Sequence, residues 1–153
     1  MLPVYKAISF IKILDKGGRT KPWLVFVNTG SKIKPYVVKI FDTQLIEERD
    51  SVTNEVLGNI IAKEFELPVP QVAFIDMDYD SIQTFRDFTL IDLLGSTDDR
   101  LKFGTEYLEG FVQFNTALFA ISESKKIIDI DSVFAFDNLI RNADRGNEKN
   151  LFF

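Results

Sequence analysis

From residue 4 to residue 14 the chain runs through Val, Tyr, Ile, Phe and Leu, interrupted mainly by Lys and Ser, and Asp15-Lys16-Gly17-Gly18 then closes the run. A β-branched and aromatic stretch bounded by turn formers predicts a strand. Residues 23–27 predict a second strand, closed by Asn28-Thr29-Gly30, and residues 36–41 a third. Short polar loops between them predict an antiparallel meander.

The period then changes. Val52, Val56, Leu57, Ile60, Ile61 and Phe65 recur at helical spacing, with Asp50 or Ser51 as the N-cap and Pro68 and Pro70 as the stop. Residues 72–75 predict a fourth short strand. The acidic loop Asp76-Met77-Asp78-Tyr79-Asp80 that follows marks a boundary between two lobes, 1–76 and 77–153. Beyond it, Phe85, Phe88, Leu90, Ile91, Leu93 and Leu94 cluster as a helix or an irregular segment. Residues 107–122 predict a buried helix, 130–141 another, and 151–153 the start of a strand. The expected fold is therefore α+β: an antiparallel sheet with one helix, then a mostly helical half, with a cleft between them.

Composition narrows the chemistry more than it narrows the fold. The chain has 153 residues, the size of one domain or of two small lobes, and its 15 Phe imply a packed core. Its net charge of −5 disfavours nucleic acid and acidic lipid as partners. There is no Cys, which excludes disulfides and thiolate metal sites, and no His, which excludes Ser-His-Asp, Cys-His and HExxH chemistries. Catalysis must then run on carboxylates, Lys, Arg, Asn and a bound metal ion. Residues 1–14 lack the features of a signal peptide, and no apolar run approaches the roughly 20 residues of a spanning helix. The expected location is cytoplasmic, away from membranes.

Lys39 lies in the third strand, on one face with Val37 and Phe41. Alone it reads more readily as a lysine snorkelling to solvent. Glu55 falls on the small-residue side of the helix, beside Gly58, Asn59 and Ala62. A carboxylate there can meet the Lys39 ammonium, as in the pair that holds ATP phosphates in kinases. Gly17-Gly18-Arg19-Thr20 is either a nest of backbone N–H groups for phosphate or a plain hairpin turn. The most informative stretch is the last. An apolar helix end delivers Asp144 into a polar loop, and Asn150 follows six positions later, before Leu151-Phe152-Phe153. Phosphoryl transfer needs a carboxylate to orient and deprotonate the attacking hydroxyl and an amide oxygen to hold Mg²⁺. The competing reading is a solvated turn rich in turn formers.

Three stretches in this order resemble the HipA-like kinases, whose fold is related to the protein and phosphoinositide kinases. They are Tyr36-Val37-Val38-Lys39; Asn54-Glu55-Val56-Leu57-Gly58 continuing to Leu67-Pro68-Val69-Pro70; and Leu139-Ile140-Arg141-Asn142-Ala143-Asp144-Arg145. The resemblance implies a protein-kinase-like fold, with an ATP-binding lobe over 1–76 and a partial helical lobe over 77–153. It implies that Lys39 contacts the ATP phosphates with Glu55 holding it, that Gly17, Gly18, Arg19 and Thr20 cover them, that Asp144 is the catalytic carboxylate and that Asn150 is a Mg²⁺ ligand. Arg145 would brace the loop or make a structural salt bridge. The adenine-binding hinge is expected near residues 74–78. The implied activity is transfer of the ATP γ-phosphate to a Ser or Thr hydroxyl of a protein substrate.

The sequence departs from the pattern in two places. Asn150 stands six residues after Asp144 where protein kinases place the Asn five after, and Asn147 stands only three after. The family's second metal-binding Asp also has no counterpart here, because residue 153 follows directly on the catalytic loop. The expectation is a fragment of a longer kinase, a chain that a second protein completes, or a catalytically incomplete pseudokinase or toxin–antitoxin-type subunit that acts through a protein partner.

Overall fold

The structure is a computed structural model that describes residues 1–14, 21–77, 100–110 and 129–141. Strands β1 (Val4–Ile13), β2 (Trp23–Asn28) and β3 (Ile33–Lys39) fall where the alternation of residues places them. They pair antiparallel in chain order. The β2–β3 turn works because Gly30 takes a φ of +86° that a Cβ would oppose, while its N–H donates to the Asn28 side-chain oxygen at 2.8 Å. Strand β3 starts three residues earlier than expected. It runs through Pro35, whose carbonyl stays in use by accepting the Tyr107 N–H at 2.9 Å.

A short helix α1 (Thr43–Glu47) precedes the expected one, α2 (Ser51–Glu64). The Asp42 carboxylate caps α1 by accepting the Leu45 N–H at 2.7 Å. At the start of α2 the Asp50 carbonyl accepts from Asn54 N–H at 2.8 Å. The end of α2 is a paired closure: Glu66 N–H donates to Lys63 O at 2.9 Å and Leu67 N–H to Ala62 O at 3.0 Å. Pro68 follows, and the chain returns to the sheet as β4 (Val72–Asp76).

The sheet is not purely the antiparallel one expected. A fifth strand, β5 (Lys102–Glu106), pairs antiparallel with both β3 and β4, and β4 pairs in parallel with the start of β1. The result is a closed barrel in the order β1-β2-β3-β5-β4. Register shifts in β1, between Ala7 and Ser9 and between Phe10 and Lys12, explain the closure. Each bulge bends and twists the strand, so Val4–Lys6 can reach β4 while the rest of β1 stays on β2. Ala7, Trp23, Val25, Val27, Tyr36, Val38, Ala73 and Ile75 fill the interior. The space is tight enough at Gly104 that an added Cβ would lie 2.7 Å from Ile75 Cγ1.

By its contacts the chain forms two compact units, Met1–Leu57 with Pro70–Tyr107 and Gly58–Val69 with Leu108–Phe153. The first contains the barrel. In the second, α3 (Ile130–Leu139) buries Phe136 edge-on against Phe65, ring centroids 6.0 Å apart. Asp129 caps α3. The Ser132 hydroxyl and N–H, at 2.7 and 3.1 Å, hold its carboxyl below the usual range. The helix predicted over 107–122 does not start at 107: residues 107–110 are non-helical, with Gly110 at a φ of +82°. Residues 111–122 of that prediction, the cluster at 85–94 and the strand start at 151–153 lie outside the described residues. Among the described residues, no helix is long and apolar enough to cross a membrane.

Candidate functional site

Lys39 is the last residue of β3, and its neighbours decide where its side chain goes. Tyr36 and Val38 point into the barrel, so Val37 and Lys39 point outward. Across the ladder Lys39 sits opposite Phe103 of β5, which in turn sits opposite Phe74 of β4. Phe103 is buried although it does not belong to the interior cluster, so the ammonium rises beside an apolar floor.

The helix supplies the counter-charge. Glu55 lies in the second turn of α2, and the Lys39 ammonium donates a hydrogen bond to its Oε1. Both side chains are about one-third exposed, 33% and 32%. An ion pair this open to water contributes at most about 1 kcal/mol to stability. Its importance is positional: one of three ammonium donors is fixed on the helix, and the others remain available to an anion reaching the open side. The expected pairing of Lys39 with Glu55 is thus present in the structure.

The apolar face of α2 does not behave as its periodicity suggests. Leu57 and Ile60 are 49% and 45% exposed, and the buried residue of the helix is Ala62. On the small-residue side Ala62 is buried, whereas Gly58 has room for a side chain, because an added Cβ there would meet nothing within 4 Å. Asn59, one turn beyond Glu55, carries a buried side-chain oxygen with no hydrogen-bond partner among the described residues.

The register also locates the ends of the β1–β2 connection. Ile13 pairs with Trp23 and Trp23 with Val38, one residue from Lys39. Leu14 N–H donates to Pro22 O at 2.8 Å, which extends the pairing by one step. The connection carrying Gly17, Gly18, Arg19 and Thr20 therefore leaves and re-enters the sheet at the Lys39 end of β3. Those four residues lie outside the described ones, as do Asp144 and Asn150. Among the described residues, no cluster of three or more acidic, His or Cys side chains could hold a metal ion. Strand β4 ends at Asp76, within the stretch 74–78 expected to hold the hinge, and residue 78 lies outside the described ones; the last strand among the described residues ends at Glu106. The N–H groups of Glu106 and Tyr107 are already committed to Gln71 O and Pro35 O.

A second concavity, an open groove of about 400 Å³, is lined by Ile46, Val52, Thr53, Phe74, Arg100 and Leu101. It is mainly apolar and does not include Lys39 or Glu55. Sequence reading missed β5, which supplies Phe103 to the floor beside Lys39. The Lys-Phe-Gly-Thr-Glu segment is short and carries a glycine at its centre.

Compared with known protein families, residues 8–153 match the family model described as HipA-like kinase. No curated protein and no solved structure matches the chain.

Proposed function

The chain belongs to the HipA-like kinases, and on that premise we propose that it binds Mg-ATP at Lys39 and serves transfer of the γ-phosphate to a Ser or Thr hydroxyl of a protein. The observation that carries this reading is the Lys39–Glu55 pair: an ammonium at a strand end, held by a helix carboxylate and still open on one side. That donor set suits a polyphosphate, because the ammonium is a point charge with donors to spare.

The proposed roles follow from what each group can do. Lys39 binds and orients the phosphates, and Glu55 keeps the ammonium from turning away. Backbone N–H groups of Gly17 to Thr20, on the loop at the same end of the barrel, close over the phosphate oxygens. Asp144 accepts the proton of the attacking hydroxyl and aligns its oxygen with the phosphorus. Asn150 would hold Mg²⁺, which neutralises charge gathering on the phosphate oxygens. The adenine edge would meet backbone near residues 74–78, where β4 ends. Residues 1–76, completed by β5, would form the nucleotide-binding part, and 77–153 would supply the catalytic loop.

Transfer of a γ-phosphate label to protein, measured beside the Asp144→Ala variant, tests the assignment. The expected outcome is loss of transfer by at least about 100-fold with nucleotide affinity kept, the signature of a lost general base. Equal transfer by parent and variant would remove Asp144 from the mechanism. Nucleotide binding without transfer by either would restrict the function to that of a binding subunit.

A further inference from the structure

Two carbonyls at the corner between α1 and α2 are held by a single residue. Residues 48–50 join the two helices, and Asp50 takes a φ of 49°, so the chain turns there and α1 does not run on into α2. Asn54, in the first turn of α2, closes the corner twice. Its backbone N–H donates to Asp50 O at 2.8 Å, and its side-chain Nδ2 donates to Arg49 O at 3.0 Å. The first is an ordinary helix bond. The second ties the side chain to the carbonyl that the left-handed residue has swung out of the helical row.

Glu55 is the next residue along the helix, and its Oε1 accepts from the Lys39 ammonium. None of residues 51–57 is buried, so this half of α2 has no core contact of its own to set it in place. An ion pair as open to water as Lys39–Glu55 is too weak to hold a helix. The corner supplies what these lack. On its other side α1 carries Glu47, paired at 3.2 Å with Arg100 just before β5, and Ile46, which lines one groove with Val52, Phe74 and Leu101. Strand β5 in turn lies against β3, with Phe103 opposite Lys39. Through the corner, α2 is set against the strands that carry the lysine.

Resting on the kinase reading above, we propose that Asn54 is a positioning residue for nucleotide binding: its side-chain bond to Arg49 O fixes the corner between α1 and α2, and with it the turn of α2 that presents Glu55 to Lys39. Asn54 acts through Glu55. Without the amide donor the corner loosens, Glu55 lies on the ammonium a smaller fraction of the time, and the phosphates meet a lysine that is no longer pre-set.

A water-soluble carbodiimide joins a lysine to a carboxylate where the two are in contact, and so reads the pair without nucleotide. Peptide mapping by mass spectrometry should find the Lys39–Glu55 amide in the parent and roughly threefold less of it in Asn54→Ala, as suits the loss of one exposed hydrogen bond. Alanine is the better helix former, so Asn54→Ala should melt close to the parent temperature, which separates lost positioning from lost folding. Asn54→Leu, which matches the shape of the side chain without its donor, should show the same drop in crosslink. By calorimetry Asn54→Ala should bind Mg-ATP about threefold more weakly than the parent, and the same change in a Glu55→Gln background should alter nothing. No crosslink in the parent, an undiminished one in either Asn54 variant, equal Mg-ATP affinity of parent and Asn54→Ala, or a loss that persists in the Glu55→Gln background would overturn the assignment. Failure of the parent to bind Mg-ATP would instead overturn the kinase reading, and the crosslink yields would still decide whether Asn54 positions Glu55.

Discussion

Individual residues in this fold carry conformational and electrostatic costs that can be measured one at a time. Glu66 is the left-handed residue of the closure that ends α2, where its N–H and that of Leu67 satisfy two otherwise open carbonyls. The bonds require the backbone shape and are indifferent to the side chain. Glu66→Gly should therefore stabilise the protein by about 1 kcal/mol, read as a higher denaturant midpoint at unchanged slope. Glu66→Val, which puts a branched Cβ at the same φ, should lower the midpoint. Tyr36 carries a cost of a different kind. Burial inside the barrel pushes its phenol up to about 12, with the Glu106 carboxylate and Tyr5 adding to the shift. An unfolded phenol ionises near 10, so the unfolded chain loses its proton first as pH rises. The stability that Tyr36 contributes is complete below pH 10 and disappears as pH climbs from 10 toward 12. Tyr36→Phe should flatten stability across that interval, and an unchanged alkaline profile would show that another group titrates there.

Whole elements show which features of a sequence are legible and which are not. Strands β1, β2 and β4 and helices α2 and α3 were foreseeable because each combines an apolar period with a stop: glycines after β1, prolines after α2, a polar loop after α3. Strand β5 was not, since five residues with Gly104 at the centre and a buried Lys102 show no alternation. Closure of the barrel was also hidden, because it depends on two bulges in β1 that no residue type announces. The Lys39–Glu55 pair was legible from residue type and helical phase, whereas the outward pointing of Lys39 onto Phe103 needed the register. Gly104 offers the sharpest test at this scale. Its missing Cβ leaves room for Ile75 Cγ1, so Gly104→Ala should cost about 1–3 kcal/mol by overpacking. In an Ile75→Ala background the same change should cost little, because the contact is gone. Additive losses in the double variant would mean that the clash is relieved elsewhere in the barrel.

At the scale of the whole molecule, a barrel end gathers the Lys39–Glu55 pair and the two ends of a glycine-containing connection, in a chain that belongs to the HipA-like kinases. The barrel closes around a filled interior, and β3, which ends on that ammonium, is paired on both sides over Tyr36, Val37 and Val38. Glu55 and Lys39 both lie in the compact unit that contains the barrel. The absence of His and Cys keeps the available chemistry to carboxylates, amides and ammonium groups. The most direct measurement is calorimetric titration of the chain with Mg-ATP, beside Lys39→Ala. The expected result is saturable binding in the parent and affinity at least about tenfold weaker in the variant, in line with loss of a charge-assisted contact to phosphate. Equal binding by the two proteins, or none by a folded parent, would contradict the claim that Lys39 anchors a nucleotide.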